Sequence, residues 1–389
     1  MAPNFSLASV LGVLLVFTLF HNPIIVAGQH IPAVALFTFG DSNFDAGNRK
    51  FITSGTLPQN FWPYGKSRDD PNGKLSDGKI VPDFIGVNKM KAKFMGISHD
   101  LPPALKPGAD ASRGASFAVD SATILGTPKD SLNLNQQVRK FDQMRSNWND
   151  DYILKSLFMI SMGMEDYLNF TKSNPAADGS AQEAFVTSVS SRLKYNIEML
   201  YSFGASKFVV YTLPPLGCLP IVRQDFNTGN DCYEKLNDLA KLHNAKIGPM
   251  LNDLATAKPG FQFTVFDFYN VILRRTQRNM NFRFSLTNVS CCGTGTHNAY
   301  GCGLPNVHSK LCEYQRSYLY FDGRHNSEKA QESFAHLLFG ADPNVIQPMN
   351  IRELITYPVN TNMSEFWKEP VERNLSLVHD NVVSASESM

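Results

Sequence analysis

Two short blocks, near opposite ends of a 389-residue chain, hold residue types that can do covalent chemistry together. The first is Phe39-Gly40-Asp41-Ser42-Asn43-Phe44-Asp45, reached at the end of an apolar run. Ser42 falls on the turn that leaves this run. If a helix starts there, its backbone N–H groups and dipole favour a developing oxyanion. A serine hydroxyl is a weak nucleophile until a general base takes its proton, and that base needs a carboxylate to orient it. The second block, Tyr320-Phe321-Asp322-Gly323-Arg324-His325, offers both. Asp322 and His325 lie three residues apart on one turn, so their side chains can share a side. Each residue alone reads as a cap or a surface group. The three together point to Ser42 as nucleophile, His325 as base and Asp322 as its orienter.

The fold must bring these blocks together. Residues 33–39 are apolar on both faces, as are 157–162, 207–213 and 261–268. Such runs suit the buried strands of a parallel sheet. Between and after them, residues 181–201, 233–254 and 327–338 read as amphipathic helices. Strand and helix alternate, which predicts an α/β fold with right-handed crossovers and a mostly parallel sheet. Ligands of such sheets bind beyond the carboxyl ends of the strands, where Ser42 falls. Residues 270–320 break the rhythm with four cysteines and several glycines, and read as a disulfide-tied insertion. Nothing resembling a linker divides residues 29–345, which are taken as one domain. Residues 346–389 are taken as a C-terminal extension, loosely held at its end.

Composition narrows the function classes. Hydrophobic residues make up 43% and charged residues 18%, a globular balance that excludes a disordered chain. Lys plus Arg is 36 and Asp plus Glu is 35, so no global field draws nucleic acid or an anionic membrane. The apolar stretch 7–20 is shorter than the roughly 20 residues a membrane helix needs. It is followed by Val26, Ala27 and Gly28, and residues 1–28 read as a cleaved secretory signal peptide, leaving no transmembrane segment in the mature chain. The expected location is the secretory pathway, either secreted or endomembrane/vacuolar.

Secretory entry makes the six cysteines disulfide partners. Cys218 and Cys232 close a short loop and form the natural pair. Cys291, Cys292, Cys302 and Cys312 supply two more bridges. Three pairings of these four are open, and adjacent Cys291 and Cys292 do not easily bond each other. A zinc site needs spacings such as C-x2-C, and none occurs. Asn169, Asn288, Asn362 and Asn374 head glycosylation sequons. Arg274, Arg275, Arg278 and Arg283 read as a solvated basic face, and His297 and His308 as loop residues. No Gly-x-Ser-x-Gly elbow is present, which argues against the α/β-hydrolase fold.

The two blocks and the text between them resemble the plant GDSL esterase/lipase family of the SGNH hydrolases, over roughly residues 33–345. Further matches are Trp62-Pro-Tyr-Gly65, Asn72-Gly-Lys-Leu-Ser-Asp-Gly78 leading into Pro82-Asp-Phe84, Arg113-Gly-Ala-Ser-Phe-Ala118, Leu213-Pro-Pro-Leu-Gly-Cys218 and Cys291-Cys-Gly293. Asn306-Val-His-Ser-Lys-Leu-Cys-Glu-Tyr-Gln-Arg316 is similar to the myrosinase-associated and epithiospecifier-modifier-like crucifer proteins. The resemblance implies a flavodoxin-like three-layer α/β/α fold and ester hydrolysis with no metal or organic cofactor. It also implies an oxyanion hole made by the N–H of Ser42, the N–H of Gly114 and an Asn side chain.

That Asn is missing. The block reads Ile160-Ser-Met-Gly163-Met164-Glu165-Asp166-Tyr167, with Glu165 in its place. An ionised carboxylate donates no proton, and losing one such donor costs about 100- to 1000-fold in turnover. Either Glu165 enters the hole, ionised or protonated, or it swings out to solvent. Phe321 and Asn326 are milder departures, from Trp and Pro. Two functions follow. One is a GDSL-type serine ester hydrolase of reduced activity, acting on a small carboxylic or lipid ester. The other is a catalytically impaired binding protein in a myrosinase/β-glucosidase-associated defence complex.

Overall fold

The apolar runs become a twisted central sheet in the computed structural model, which describes residues 34–86, 100–276 and 284–359. The strands are β1 (Leu36–Gly40), β2 (Gly114–Ser116), β3 (Leu157–Ser161), β4 (Lys207–Tyr211) and β5 (Gln262–Phe266). They pair in parallel in the order β5-β4-β3-β1-β2, and a short antiparallel strand, Ile346–Gln347, closes the β5 edge. All five residues of β1, β3 and β4 are buried. That burial on both faces is why their sequences lack alternation.

Helices flank the sheet and complete an α/β/α fold. Leu134–Met144 packs on β1 and on Gly179–Ser202, which in turn packs on Glu234–Ala257. Glu328–Leu338 packs against Val81–Gly86, which leans on β1. Rings of Phe37, Phe39, Phe141, Phe158 and Trp148 interlock under β1 and fix the strand that leads to Ser42.

The cysteine-rich segment is a small second layer of structure. Leu286–Ser290 pairs with Tyr318–Tyr320, and Cys292–Gly293 pairs with Lys310–Leu311. Bridges Cys218–Cys232, Cys291–Cys312 and Cys292–Cys302 use all six cysteines. The first is the pair its spacing suggested, and the other two resolve the three open pairings.

Two expectations need correction. The boundary drawn at 345 falls inside the fold: Ile346 faces Phe266 across the sheet, and the helix Ile351–Thr356 packs on β4 and β5. Ile351, Leu354 and Ile355 are buried there, so the start of the extension belongs to the fold, while the end expected to be loosely held lies outside the described residues from 360 on. The four arginines do not make one solvated face either. Arg274 pairs with Asp342, whereas Arg275 is buried over the Phe334 ring and bonds Val271 O and Ser333 Oγ. Arg278, Arg283, the signal segment 1–28, Asn362 and Asn374 lie outside the described residues.

Candidate active site

Ser42 stands where β1 ends. Gly40 has φ +147, and a Cβ there would meet Ser161 O at 1.9 Å, so only glycine lets β1 close on β3 at this point. Gln137 clamps Gly40 from both sides, accepting from its N–H at 2.9 Å and donating to its carbonyl at 2.8 Å. The turn itself is built on Asp41. Its carboxylate accepts from the N–H groups of Asn43 and Met164, and its own N–H donates to Ser161 O. Burial raises Asp41 to about 7, with the nearby charge of Glu165 pushing the same way.

No helix follows Ser42 directly, contrary to expectation; the first element after it is a 3-10 turn, Arg49–Phe51. The reason is Asp45 and Asn48. Asp45 accepts from the N–H groups of Gly47, Asn48 and Asp120. Asn48 Nδ2 donates to the carbonyls of Ser116 and Ala118. These bonds spend the backbone on the loop after β2 instead of on a helix.

The second block arrives from the strand Tyr318–Tyr320, just ahead of the helix Glu328–Leu338. Its position depends on the cysteine segment: Cys291 N–H donates to Tyr320 O and Cys292 N–H to Phe321 O. Phe321 and Tyr64 pack edge to face in one cluster with Cys291, Cys292 and Cys302. From the opposite side, Ile221 N–H donates to Gly323 O.

Across 283 residues of sequence, Ser42 Oγ lies 2.8 Å from His325 Nε2. His325 Nδ1 lies 2.8 Å from both oxygens of Asp322. Tyr64 Oη–H donates to Asp322 Oδ2 at 2.7 Å, and the N–H groups of Arg324 and His325 each donate to Oδ1 at 2.8 Å. Ser42, Asp322 and His325 are all buried. Burial would raise the Asp322 carboxyl, but His325 and these donors hold it below its ordinary value. Burial would lower His325, but the Asp322 carboxylate outweighs it and leaves the imidazole raised. Such a group can take a proton from Ser42 and return it to a leaving alcohol.

The charge-receiving side differs from what the resemblance implies. Gly114 is not brought to the site. It opens β2 opposite Leu36, four residues before Gly40, which is about 13 Å at the usual strand rise. Its N–H is spent on Ala111 O, and its lack of a Cβ serves close contact with Leu36 O. Parallel β2 instead delivers the turn 119–122 to this end. Val119 N–H donates to Gly40 O, and Ser121 holds φ +62. The direction of β2 was the signal that could have found this turn. The Ser42 N–H has no acceptor among the described residues.

Glu165 neither swings out nor stands uncompensated. It is 8% exposed, in the first turn of the helix Met164–Ser173, and its Oε1 pairs with Arg324 Nη1. Burial would lower Arg324, yet Glu165, with Asp120 and Asp322, outweighs this and keeps it raised. Arg324, Tyr64 and Asp120 are the site residues that sequence reasoning missed. Tyr64 was in view only as part of the Trp62–Gly65 match, and Arg324 only as a spacer in the Asp322–His325 block.

Asn169 is exposed and Asn288 half-buried, with Asn288 Nδ2 donating to Asn230 Oδ1. His297 is a loop residue whose Nδ1 lies 2.8 Å from Asn288 O. Among the described residues no His, Cys, Asp or Glu group could hold a metal, and no helix is long and apolar enough to cross a membrane.

Comparison with known proteins gives one family. Residues 36–338 match the model of the GDSL-like lipase/acylhydrolase family. A GDSL esterase/lipase of Arabidopsis thaliana is 76% identical, covering 96% of this chain and 99% of that protein. The Arabidopsis thaliana protein named inactive GDSL esterase/lipase-like protein 23 is 69% identical, over 97% of each chain. GDSL esterase/lipase ESM1 of the same plant is 68% identical, over 95% of this chain and 94% of that one.

Proposed function

The chain belongs to the GDSL-like lipase/acylhydrolase family, and from that premise we propose that it is a serine ester hydrolase acting through Ser42, His325 and Asp322. The hydrogen-bonded relay from Ser42 Oγ to His325 to Asp322, with every link at 2.8 Å, carries this reading. Ser42 Oγ attacks the ester carbonyl carbon while its proton passes to His325 Nε2. The Ser42 N–H meets the oxyanion, with the 119–122 turn, bonded to Gly40 O through Val119 N–H, as the second backbone contributor. Collapse expels the alcohol, which takes the proton from His325. Water, losing its proton to His325, then attacks the acyl group on Ser42 and frees the acid. Asp322 holds the Nδ1–H tautomer throughout, and Tyr64 holds Asp322.

Glu165 sets the rate in this reading. Its carboxylate offers no donor, but Arg324 cancels most of its charge, so hydrolysis is slowed and not abolished. The substrate is a small carboxylic or lipid ester, and the setting is the secretory pathway, with Asn169 and Asn288 as glycosylation sites. The test is labelling of the purified glycoprotein by a fluorophosphonate serine probe, with Ser42→Ala as control. Labelling of wild type alone is expected; absence of labelling sinks the enzyme reading.

The Glu165–Arg324 pair also favours a second reading, supported by the relative named inactive. In it the chain is a binding protein on the same scaffold, acting in a myrosinase/β-glucosidase-associated complex. Capture of that β-glucosidase by both wild type and Ser42→Ala, with no ester turnover by either, would decide for it.

A further inference from the structure

Arg324 directly precedes His325, and only part of its guanidinium is engaged. Its Nη1 pairs with Glu165 Oε1. Nε and Nη2 hold no partner among the described residues, and both stay open to solvent on a side chain that is 32% exposed. These two nitrogens form the edge of the guanidinium whose N–H groups run parallel. Such a fork meets one planar oxygen group with two bonds.

A cleft of about 200 Å3 opens here, lined by Arg324, Asp120 and His325 but not by Glu165 or Ser42. Asp120 acts on Arg324 by its charge, yet no ion pair joins them, so the cleft lies between the two. In the proposed reaction the departing alcohol takes its proton from His325. A cleft on the His325 side therefore receives the alcohol of the ester and not the acyl chain. Its volume is below the roughly 300–1,000 Å3 of pockets for drug-sized ligands, which limits that alcohol to a compact one.

The charges around the free edge decide which acceptor fits it. Glu165, Asp120 and Asp322 all act on Arg324, so its positive charge is already answered. A further anion would meet the carboxylates of Asp120 and Asp322, which line the same cleft. The donors of the edge remain unanswered. A neutral, planar group that only accepts satisfies both conditions, and that group is a carbonyl. Ile221 and Leu304 offer apolar surface for its carbon frame.

We propose that Arg324 selects the alcohol of the ester: its free Nε–Nη2 edge binds a neutral carbonyl oxygen on a compact leaving alcohol, so that keto- or acyl-bearing alcohols are preferred over plain alkyl and carboxylate-bearing ones. This rests on the ester-hydrolase reading of the same site. The probes are three acetates of equal shape: 2-oxopropyl acetate, isobutyl acetate and acetoxyacetate. Each kcat/KM is divided by the rate constant of that ester in hydroxide alone, which removes differences in leaving-group reactivity. Wild type is expected to prefer the 2-oxopropyl ester over the isobutyl ester by about 10-fold or more, the size of a hydrogen bond to a charged group. Acetoxyacetate should rank no higher than the isobutyl ester. Arg324→Met should bring the first ratio close to one. Glu165→Gln, which leaves the guanidinium without its counter-charge, should improve acetoxyacetate relative to the 2-oxopropyl ester by about 5-fold. Equal corrected rates for the 2-oxopropyl and isobutyl esters in wild type overturn the proposal without any variant. So does a preference for acetoxyacetate, or a 2-oxopropyl preference that survives Arg324→Met. Ligand-observed NMR of 2-oxopropyl acetate with Ser42→Ala, compared with Ser42→Ala/Arg324→Met, reads the subsite without turnover. Binding that the second substitution abolishes supports the subsite even if hydrolysis fails, so that the two readings fall separately. Binding that it leaves intact, or no binding at all, overturns the subsite.

Discussion

Ser42, His325, Asp322 and Tyr64 form one chain of hydrogen bonds, each donor matched to an acceptor. A few side chains away, Glu165, Arg324, Asp120 and Arg49 are tied mainly as ion pairs. In the proposed reaction the first half moves a proton, and the second stands on the side proposed to receive negative charge. Proton transfer fails if any link is lost, so the first half tolerates little change. Charge stabilisation can be supplied by different donors at different cost, so the second half can be rebuilt and leave a slower enzyme. The contrast makes reduced activity, not absent activity, the expectation.

The largest effect should come from breaking the relay. Ser42→Ala or His325→Ala should cost about 10,000-fold or more in kcat on a short-chain nitrophenyl ester. A variant that stays within tenfold of wild type would show that the ester is hydrolysed elsewhere.

Next is the support beneath the relay. The Cys292–Cys302 bridge spans a sequence separation of 10 and sits in the cluster with Tyr64 and Phe321. Replacing both cysteines by alanine should lower stability by about 3 kcal/mol in the chain-entropy model. Denaturant unfolding measures this. If the Asp322 turn depends on the bridge, kcat falls as well in the fraction that stays folded.

On the charge-receiving side, Glu165→Asn restores a donor and should raise kcat by about 100-fold. Measured with Arg324→Gln in the same background, it separates two cases. A rise in both backgrounds means that Glu165 is simply a lost donor. A fall on Glu165→Asn alone means that Arg324 needs its partner and that the pair itself faces the substrate.

Much of this was legible in the sequence because it rests on short-range patterns. Continuous apolar runs gave β1, β3, β4 and β5, and helical spacing gave Gly179–Ser202 and Glu234–Ala257 to within a few residues. That Ser42, Asp322 and His325 meet in space was readable because their residue types have few other uses in that combination. The edge strand at Ile346 was missed because two residues give no periodicity. Gly114 was misplaced because a glycine that serves strand packing looks the same in sequence as one that frees an N–H. The Glu165–Arg324 pair joins residues 159 apart and has no local signature.

The smallest expected effect belongs to Tyr64, and it tests how the relay is tuned. His325 must be neutral to accept the Ser42 proton, and its pKa lies above the usual 6.5. Activity is therefore lost as pH falls through a value above 6.5, which sets the acid limb of kcat/KM. Tyr64→Phe removes one hydrogen bond to Asp322 and keeps the ring that packs on Phe321. The carboxylate then interacts more strongly with protonated His325, whose pKa rises further. The acid limb should move to higher pH by on the order of half a unit, equivalent to about 0.7 kcal/mol. At pH 7 the rate should drop by no more than about 3-fold, the factor that half a unit allows. If the rate falls with no movement of the limb, Tyr64 acts only by packing. If neither changes, Asp322 is held by the backbone N–H groups of Arg324 and His325 alone.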